Sequence, residues 1–291
     1  MKLFKITIIY FLLSVLLLSS LNVYSEPTYP KRVVSLSPSI TEIVYGIDAW
    51  DKLVGVTMYS DFPPKAKELP NVGGWVNPNL EMVLKLKPDL VIMVSDQDKI
   101  FGDKFRTLGL KTLAVDSNPS IIHIKDSILK IGNALGKQKE SVKLKDKIET
   151  QINKIRNKTI NLKPKKILCV IGRNPGTLDD IYVVGNTSFI NELILVSGGI
   201  NVIEKKRTAL KISKEAIFTL DPDIIIEINH AKTDKVKEII EVWSMLNEAR
   251  AIRSNQVKII SSTAILHPSQ RIIDGIKELT SLIHPEISSV L

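Results

Sequence analysis

The chain has 291 residues, 44% of them hydrophobic and 24% charged, and a formal net charge of +9. That balance, with little low-complexity sequence, excludes a disordered chain and leaves room for two lobes of ordinary size. The basic excess is dispersed, densest at 137–147 and 163–166, with no interleaved aromatic platform for bases, so it reads as solvated helix faces and gives no nucleic-acid partner.

Residues 1–25 place Lys2 and Lys5 before an apolar run at 6–18, then end on Val23-Tyr24-Ser25. This pattern predicts a secretory signal peptide cleaved after Ser25; the run is shorter than the roughly 20 apolar residues of a membrane span. Removing it takes away Lys2 and Lys5 and no acid, which lowers the charge by two, to +7. Cys169 is the one cysteine, inside the apolar run 167–171, so it reads as a buried strand residue. No disulfide forms within the chain, and no cysteine stands near the cleavage site to take a lipid anchor. A soluble exported protein stays near its cell only behind an outer membrane, so the expected location is the periplasm.

Residues 33–36 predict the first strand and Ser37-Pro38-Ser39 the turn into a helix, with Ser39 and Glu42 spaced as a capping box. A strand running into a capped helix places backbone N–H groups at the carboxyl end of the sheet, where α/β proteins hold ligands. A second strand is expected at 53–57. The loops that follow, 58–64 and 71–78, carry Tyr59, Phe62 and Trp75 on backbone stiffened by prolines. Aromatic faces on rigid loops suit a wall for a large flat ligand.

The stretch 78–93 returns in variant form at 212–228, with Glu81 aligned to Glu215 and Pro88-Asp89 to Pro222-Asp223. Each copy is a short amphipathic helix stopped by proline and followed by an apolar run too short for a helix. The near-continuous aliphatic runs 90–94 and 224–228 are what strands of a parallel sheet covered on both faces require. The duplication predicts two similar α/β lobes with mainly parallel sheets. Further strands are expected at 112–115, 167–171, 181–184 and 257–261, and helices at 99–108, 186–196 and 269–283. Between the repeats no strand is expected from 120 to 162: helices cover 121–135 and, after Gly136, the charged stretch 138–160. A helix of some 20 residues spans roughly 30 Å, enough for a rigid rod joining the lobes and limiting their closure. The expected division is therefore an N-terminal lobe at 26–136, a connector at 137–163 and a C-terminal lobe at 164–291.

The loop Arg173-Asn174-Pro175-Gly176 sits at a strand's carboxyl end but lacks the Gly-x-Gly-x-x-Gly spacing of a dinucleotide site. Four histidines, His123, His230, His267 and His284, are scattered without ligand spacing, and no Gly-x-Ser-x-Gly elbow occurs. No enzyme and no intrinsic metal or cofactor is expected. Convergence of His230 and His267 on bare Zn²⁺ or Mn²⁺ stays as a lesser alternative.

Several stretches together resemble the substrate-binding proteins of ABC importers for vitamin B12, ferric siderophores and haem. They are the run from Arg32 through Ser37-Pro38-Ser39 to Glu42, Tyr59-Ser60-Asp61-Phe62-Pro63-Pro64, Asn79-Leu80-Glu81 with Lys87-Pro88-Asp89, Asp221-Pro222-Asp223, and Ile272-Ile273-Asp274-Gly275 with His284-Pro285-Glu286. The resemblance covers 32–286, within a binding-protein unit at 32–289. It implies two α/β lobes, a rigid connecting helix, a ligand cleft between the lobes, and a monomer that hands its cargo to a permease and its ATPase subunits. The Tyr-Ser-Asp-Phe-Pro-Pro loop looks most like the cobalamin-binding branch. By that similarity Tyr59, Trp75, Arg173, Asn174 and Pro175 contact a corrinoid, while Glu81 meets arginines of the permease; the family's second docking glutamate has no match at Leu266-His267, and the internal repeat offers Glu215 in its place. The enteric cobalamin protein has an aromatic residue after the last strand where this chain has 262–266, which keeps siderophore and haem open as cargo.

Overall fold

The computed structural model describes residues 28–116, 120–229 and 236–291. The expected leader at 1–25 and His230 lie outside the described residues. Four parallel strands, β1 (Val33–Ser35), β2 (Leu53–Gly55), β3 (Leu90–Val94) and β4 (Thr112–Val115), form a sheet in the order β2-β1-β3-β4. β3 is buried at all five positions, which explains its unbroken aliphatic sequence. Helices α1 (Pro38–Gly46), α2 (Leu80–Lys85) and α3 (Asp103–Thr107) link successive strands. Ile40, Ile43 and Val44 of α1 are fully or almost fully buried, and side chains of this size each contribute about 1.5–3 kcal/mol on burial.

Two helices follow, α4 (Ile121–Leu135) and α5 (Gln138–Thr159). Gly136 ends α4 in the left-handed region at φ 72°, and Lys137 N–H closes onto the Gly132 carbonyl at 2.7 Å. The charged α5 buries only a stripe, Ser141, Ile148, Ile152, Ile155 and Thr159, spaced for one helix face.

The second sheet contains β5 (Lys165–Gly172), β6 (Ile181–Val184), β7 (Gly199–Asn201), β8 (Ala209–Ile212), β9 (Ile224–Ile228) and β10 (Val257–Ile260), in the order β10-β9-β5-β6-β8 with β7 paired to β5. β10, β9, β5 and β7 run parallel, whereas β6 is antiparallel to β5 and β8 to β6. Helices α6 (Phe189–Val196), α7 (Ala216–Leu220), α8 (Val236–Trp243), α9 (Arg250–Arg253) and α10 (Ile272–Ile283) pack around it. The architecture is the expected pair of α/β lobes. β7 and β8 were not legible in advance: β7 begins on a glycine and has three residues, and β8 has no fully buried position to impose an apolar run.

The repeated Pro-Asp has one structural task in both lobes. Asp89 accepts hydrogen bonds from the Lys31 and Arg32 amides at 2.8 and 2.9 Å, and its own amide donates to the Arg32 carbonyl at 2.9 Å. Asp223 accepts from the Lys166 amide at 2.7 Å and donates back to the Lys166 carbonyl at 2.8 Å. Each aspartate therefore pins the end of its helix–strand turn to the start of the neighbouring central strand. Pro88 and Pro222 are buried beside it.

One hydrophobic cluster runs through both sheets and the helices between them. It includes Val33 and Ile92 from the first sheet, Ile131, Ile148 and Ile152 from α4 and α5, and Ile167, Cys169 and Ile226 from the second. Cys169 is wholly enclosed in this cluster, where burial pushes its thiol up to about 12. It is accordingly a packing residue with no nucleophilic character. Among the described residues no helix is long and apolar enough to cross a membrane.

The spacing of Ser39 and Glu42 does not form a capping box. The N-cap of α1 is Ser37, which makes no side-chain capping bond, and Pro38 opens the helix with its preset φ. Glu42, with a side chain only 1% exposed, instead reaches the segment leading into α10. There its carboxylate accepts from Ser269 Oγ, lies 2.8 Å from His267 Nδ1 and pairs with Arg271 Nη1 at 3.0 Å, while Gln270 Nε2 donates to the Glu42 carbonyl at 2.7 Å. A residue expected to serve its own helix thus ties the first lobe to the second.

Candidate ligand-binding site

The carboxyl ends of the parallel strands carry the residues of interest, and buried hydroxyls fix the first of them. Beyond β1, Ser35 Oγ donates to the Ser37 carbonyl at 2.9 Å and Thr41 Oγ1 donates to Ser35 Oγ at 2.8 Å. Thr41 also contacts Ser60 Oγ at 3.2 Å, and Thr57 contacts the same hydroxyl at 3.0 Å. Ser60 is therefore anchored under the loop beyond β2, while its neighbours Met58 and Tyr59 stand out, each 59% exposed. The same loop is braced at Phe62, whose peptide bond to Pro63 is cis; its ring meets Tyr45 edge-on and lies 4.1 Å beneath the Arg271 guanidinium. Phe62 is a brace between lobes, and the outward aromatic of this loop is Tyr59.

Trp75 sits on a turn held by the chain's own hydrogen bonds. Asn71 Oδ1 accepts the Gly73 amide at 2.8 Å, Met58 N–H donates to the Gly73 carbonyl at 3.1 Å, and Gly73 bridges to Pro78. Gly73 has φ 94°, and a Cβ there would lie 2.6 Å from the Asn79 amide nitrogen, so only glycine fits. At Gly74 a Cβ would lie 3.7 Å from Tyr59 Cε2, which places the Tyr59 ring against the turn that carries Trp75. The structure thus brings Tyr59 and Trp75 onto adjoining loops, with Trp75 36% exposed.

In the second lobe Arg173, Asn174 and Pro175 follow β5. The Arg173 side chain, only 5% exposed, turns inward: Nε pairs with Glu227 at 3.0 Å and Nη1 donates to the Thr177 carbonyl at 2.8 Å. Glu227 is also met by Trp243 Nε1 at 2.5 Å. The guanidinium is committed to shaping its own loop, and what the loop presents outward is its exposed backbone with Asn174 and Pro175. Beyond β10, where an aromatic side chain was missing from the sequence, residues Thr263–Ile265 form a single 3₁₀ turn that buries Ala264 and Ile265. Residues 262–266 themselves offer no aromatic ring there.

Glu81 and Glu215 are both exposed at the starts of α2 and α7. A helix feeding a parallel strand runs opposite to it, so both helix starts lie toward the carboxyl edge of their sheets. Their settings differ. Asn79 caps α2 by accepting the Met82 amide at 3.0 Å, which leaves Glu81 free of that task. Glu215 is itself the N-cap residue, and its own backbone amide, then the Ser213 hydroxyl, hold its carboxyl below the usual carboxylate range. Among the described residues no group of three or more His, Cys, Asp and Glu side chains converges as a metal site. His267 is engaged with Glu42, and His230 lies outside the described residues.

The profile of the family described as "Periplasmic binding protein" matches residues 33–264, most of the chain. This protein belongs to that family. The binding protein is 30% identical over 263 residues to an uncharacterized ABC transporter substrate-binding lipoprotein of Bacillus subtilis, covering 88% of this chain and 81% of the relative. It is 28% identical over 217 residues to the vitamin B12-binding protein of Yersinia pestis, covering 73% of this chain and 74% of the relative. It is similar in structure to S. aureus IsdE, solved with haem, with a TM-score of 0.70 and 25% identity over 87% of this chain and 98% of that one. Its relatives are thus ABC transporter substrate-binding proteins, among them one that binds vitamin B12 and one solved with haem.

Proposed function

We propose that this chain is an exported substrate-binding protein that captures a corrinoid of the cobalamin type between its lobes and delivers it to an ABC permease and its ATPase subunits, without covalent chemistry. The observation that carries this reading is the pair of exposed aromatic residues, Tyr59 and Trp75, on adjoining loops at the carboxyl edge of the first sheet. A flat, largely apolar macrocycle is what two such faces recognise. The vitamin B12-binding relative supports the same cargo. In this reading 26–136 and 164–291 are the lobes, 137–163 is the connector, and the protein acts as a monomer in the periplasm after losing residues 1–25. The Arg173 to Pro175 loop closes the cleft from the second lobe through its backbone, Asn174 and Pro175, with Arg173 acting from beneath. Glu81 and Glu215 face permease arginines, with Glu81 the freer of the two.

The test is titration of the purified protein with cyanocobalamin, dicyanocobinamide, haemin and a ferric siderophore, followed by tryptophan fluorescence. Corrinoids should give saturable binding that Trp75→Ala weakens roughly tenfold, the loss of one aromatic face. Saturation by haemin or the siderophore alone would replace the corrinoid reading with its runner-up. The exposed Tyr59 phenol favours haem within that runner-up, since tyrosine is an axial ligand of haem iron.

For docking, Glu81→Ala should leave corrinoid affinity unchanged and lower uptake severalfold, most clearly at low salt, because rim charges steer encounter more than they add affinity. A loss of corrinoid affinity in that variant would move Glu81 into the binding site.

A further inference from the structure

Gln97 lies in the first helical turn after β3 and is completely buried, although nothing in its sequence neighbourhood marks it out. Its carboxamide makes three hydrogen bonds to three separate stretches of backbone. Oε1 accepts the Val94 amide at the end of β3 at 3.2 Å. Nε2 donates to the carbonyl of Leu36, just past β1, at 2.9 Å, and to the carbonyl of Trp75 at 2.9 Å. One side chain therefore ties the ends of two adjacent strands to the turn that presents Trp75.

We propose that Gln97 is the positioning residue of the ligand cleft, holding Trp75 in its binding orientation before cargo arrives. The inference rests on the reading of Trp75 as a ligand wall. The chemistry is specific to an amide. Two N–H donors and one carbonyl acceptor on a neutral group are what the three backbone partners demand, and of the side chains only glutamine and asparagine supply them. Asparagine is one methylene too short to span the same gap, and glutamate would turn acceptor oxygens toward two carbonyls. Removing the amide leaves the Leu36 and Trp75 carbonyls without this partner and releases the turn on its strand-facing side. The contacts at Asn71, Gly73 and Met58 remain to keep the turn folded. Preorganised contact area is cheaper in entropy on binding than area that must be ordered by the ligand. Losing Gln97 is therefore expected to act on affinity through Trp75.

The experiment compares wild type, Gln97→Met and Trp75→Ala, each labelled with 5-fluorotryptophan and titrated with cyanocobalamin and, separately, haemin. Wild type should show three ¹⁹F signals, for Trp50, Trp75 and Trp243, with the Trp75 signal identified by its absence in Trp75→Ala. Gln97→Met should shift or broaden the Trp75 signal, leave the buried Trp243 signal in place, and weaken binding of whichever probe binds wild type by roughly tenfold. An unmoved Trp75 signal, or unchanged affinity where Trp75→Ala is weakened, overturns the proposal. If the Trp243 signal collapses as well, Gln97→Glu provides the second variant: it keeps the side-chain volume, and its Trp75 signal must move for the proposal to stand. Two further results fall on the ligand reading instead. Trp75→Ala with wild-type affinity removes Trp75 from the cleft. Failure of both probes with wild type removes the assigned cargo, while the ¹⁹F spectra still decide whether Gln97 orients Trp75.

Discussion

Glu42→Ala should destabilise the protein by roughly 3–5 kcal/mol, the usual cost of leaving a buried charged partner uncompensated, as read from chemical denaturation. Arg271, whose side chain is 16% exposed, would lose its carboxylate, and His267 and Ser269 would lose the same acceptor. Burial explains the size of the effect: an exposed pair contributes about 0–1 kcal/mol because water and salt screen it, whereas the Glu42 side chain is almost completely enclosed. Glu42→Gln separates charge from space. It retains an acceptor for Ser269 and should recover part of the loss, but not the charge on Arg271. Hydrogen exchange should place the damage at 263–271 and around Phe62, which rests under Arg271. A loss below about 1 kcal/mol, within the range of an exposed pair, would show that the junction between the lobes is held by packing and not by this carboxylate.

Glu227→Ala should be of similar size, roughly 3–5 kcal/mol, with its damage confined to the second lobe. Glu227 is the partner of two buried groups, Arg173 Nε and Trp243 Nε1, and the Arg173 side chain in turn holds the Thr177 carbonyl. The loop 173–178 should loosen, and hydrogen exchange there should rise ahead of the rest of the lobe. Replacing both members, Arg173→Met with Glu227→Met, should cost much less than Glu227→Ala alone, since apolar groups of similar volume leave no stranded charge. If the double replacement is as damaging as the single one, the pair is required for reasons beyond its own desolvation.

Most of the fold was legible because its strands are short apolar runs bounded by turns, and the central runs 90–94 and 224–228 are buried at every position. The runs at 90–94, 112–115, 181–184 and 224–228 appear as strands with those bounds, and the helix at 121–135 matches as well. What escaped was short or half-exposed, as in β7 and β8, where pairing to a neighbour decides the conformation and hydrophobic pattern does not. The candidate site was legible only in part. Loop position marked Tyr59 and Trp75, but the spacing that suggested a capping box at Ser39 and Glu42 cannot reveal a partner more than two hundred residues away. Arg173 was correctly placed after a strand, yet the direction of its guanidinium depended on Glu227. That glutamate carried its own signal: a carboxylate inside Ile-Ile-Ile-Glu-Ile, a run otherwise fit for a core, must have a buried cationic or hydrogen-bonding partner. Gln97 had no comparable mark, because a neutral amide fits a loop as readily as a core.

The paired aspartates have a consequence for how the molecule assembles. Asp89 reaches back 57 residues to the Arg32 amide, and Asp223 reaches back the same 57 residues to the Lys166 amide. Closure entropy depends on the length of the closed segment, so the two ring closures carry nearly the same entropic penalty. Each half can therefore nucleate within its own sequence, with a similar topological delay and without waiting for the other. The contacts of Glu42, which span more than two hundred residues, then belong to a late docking step that joins two halves already formed.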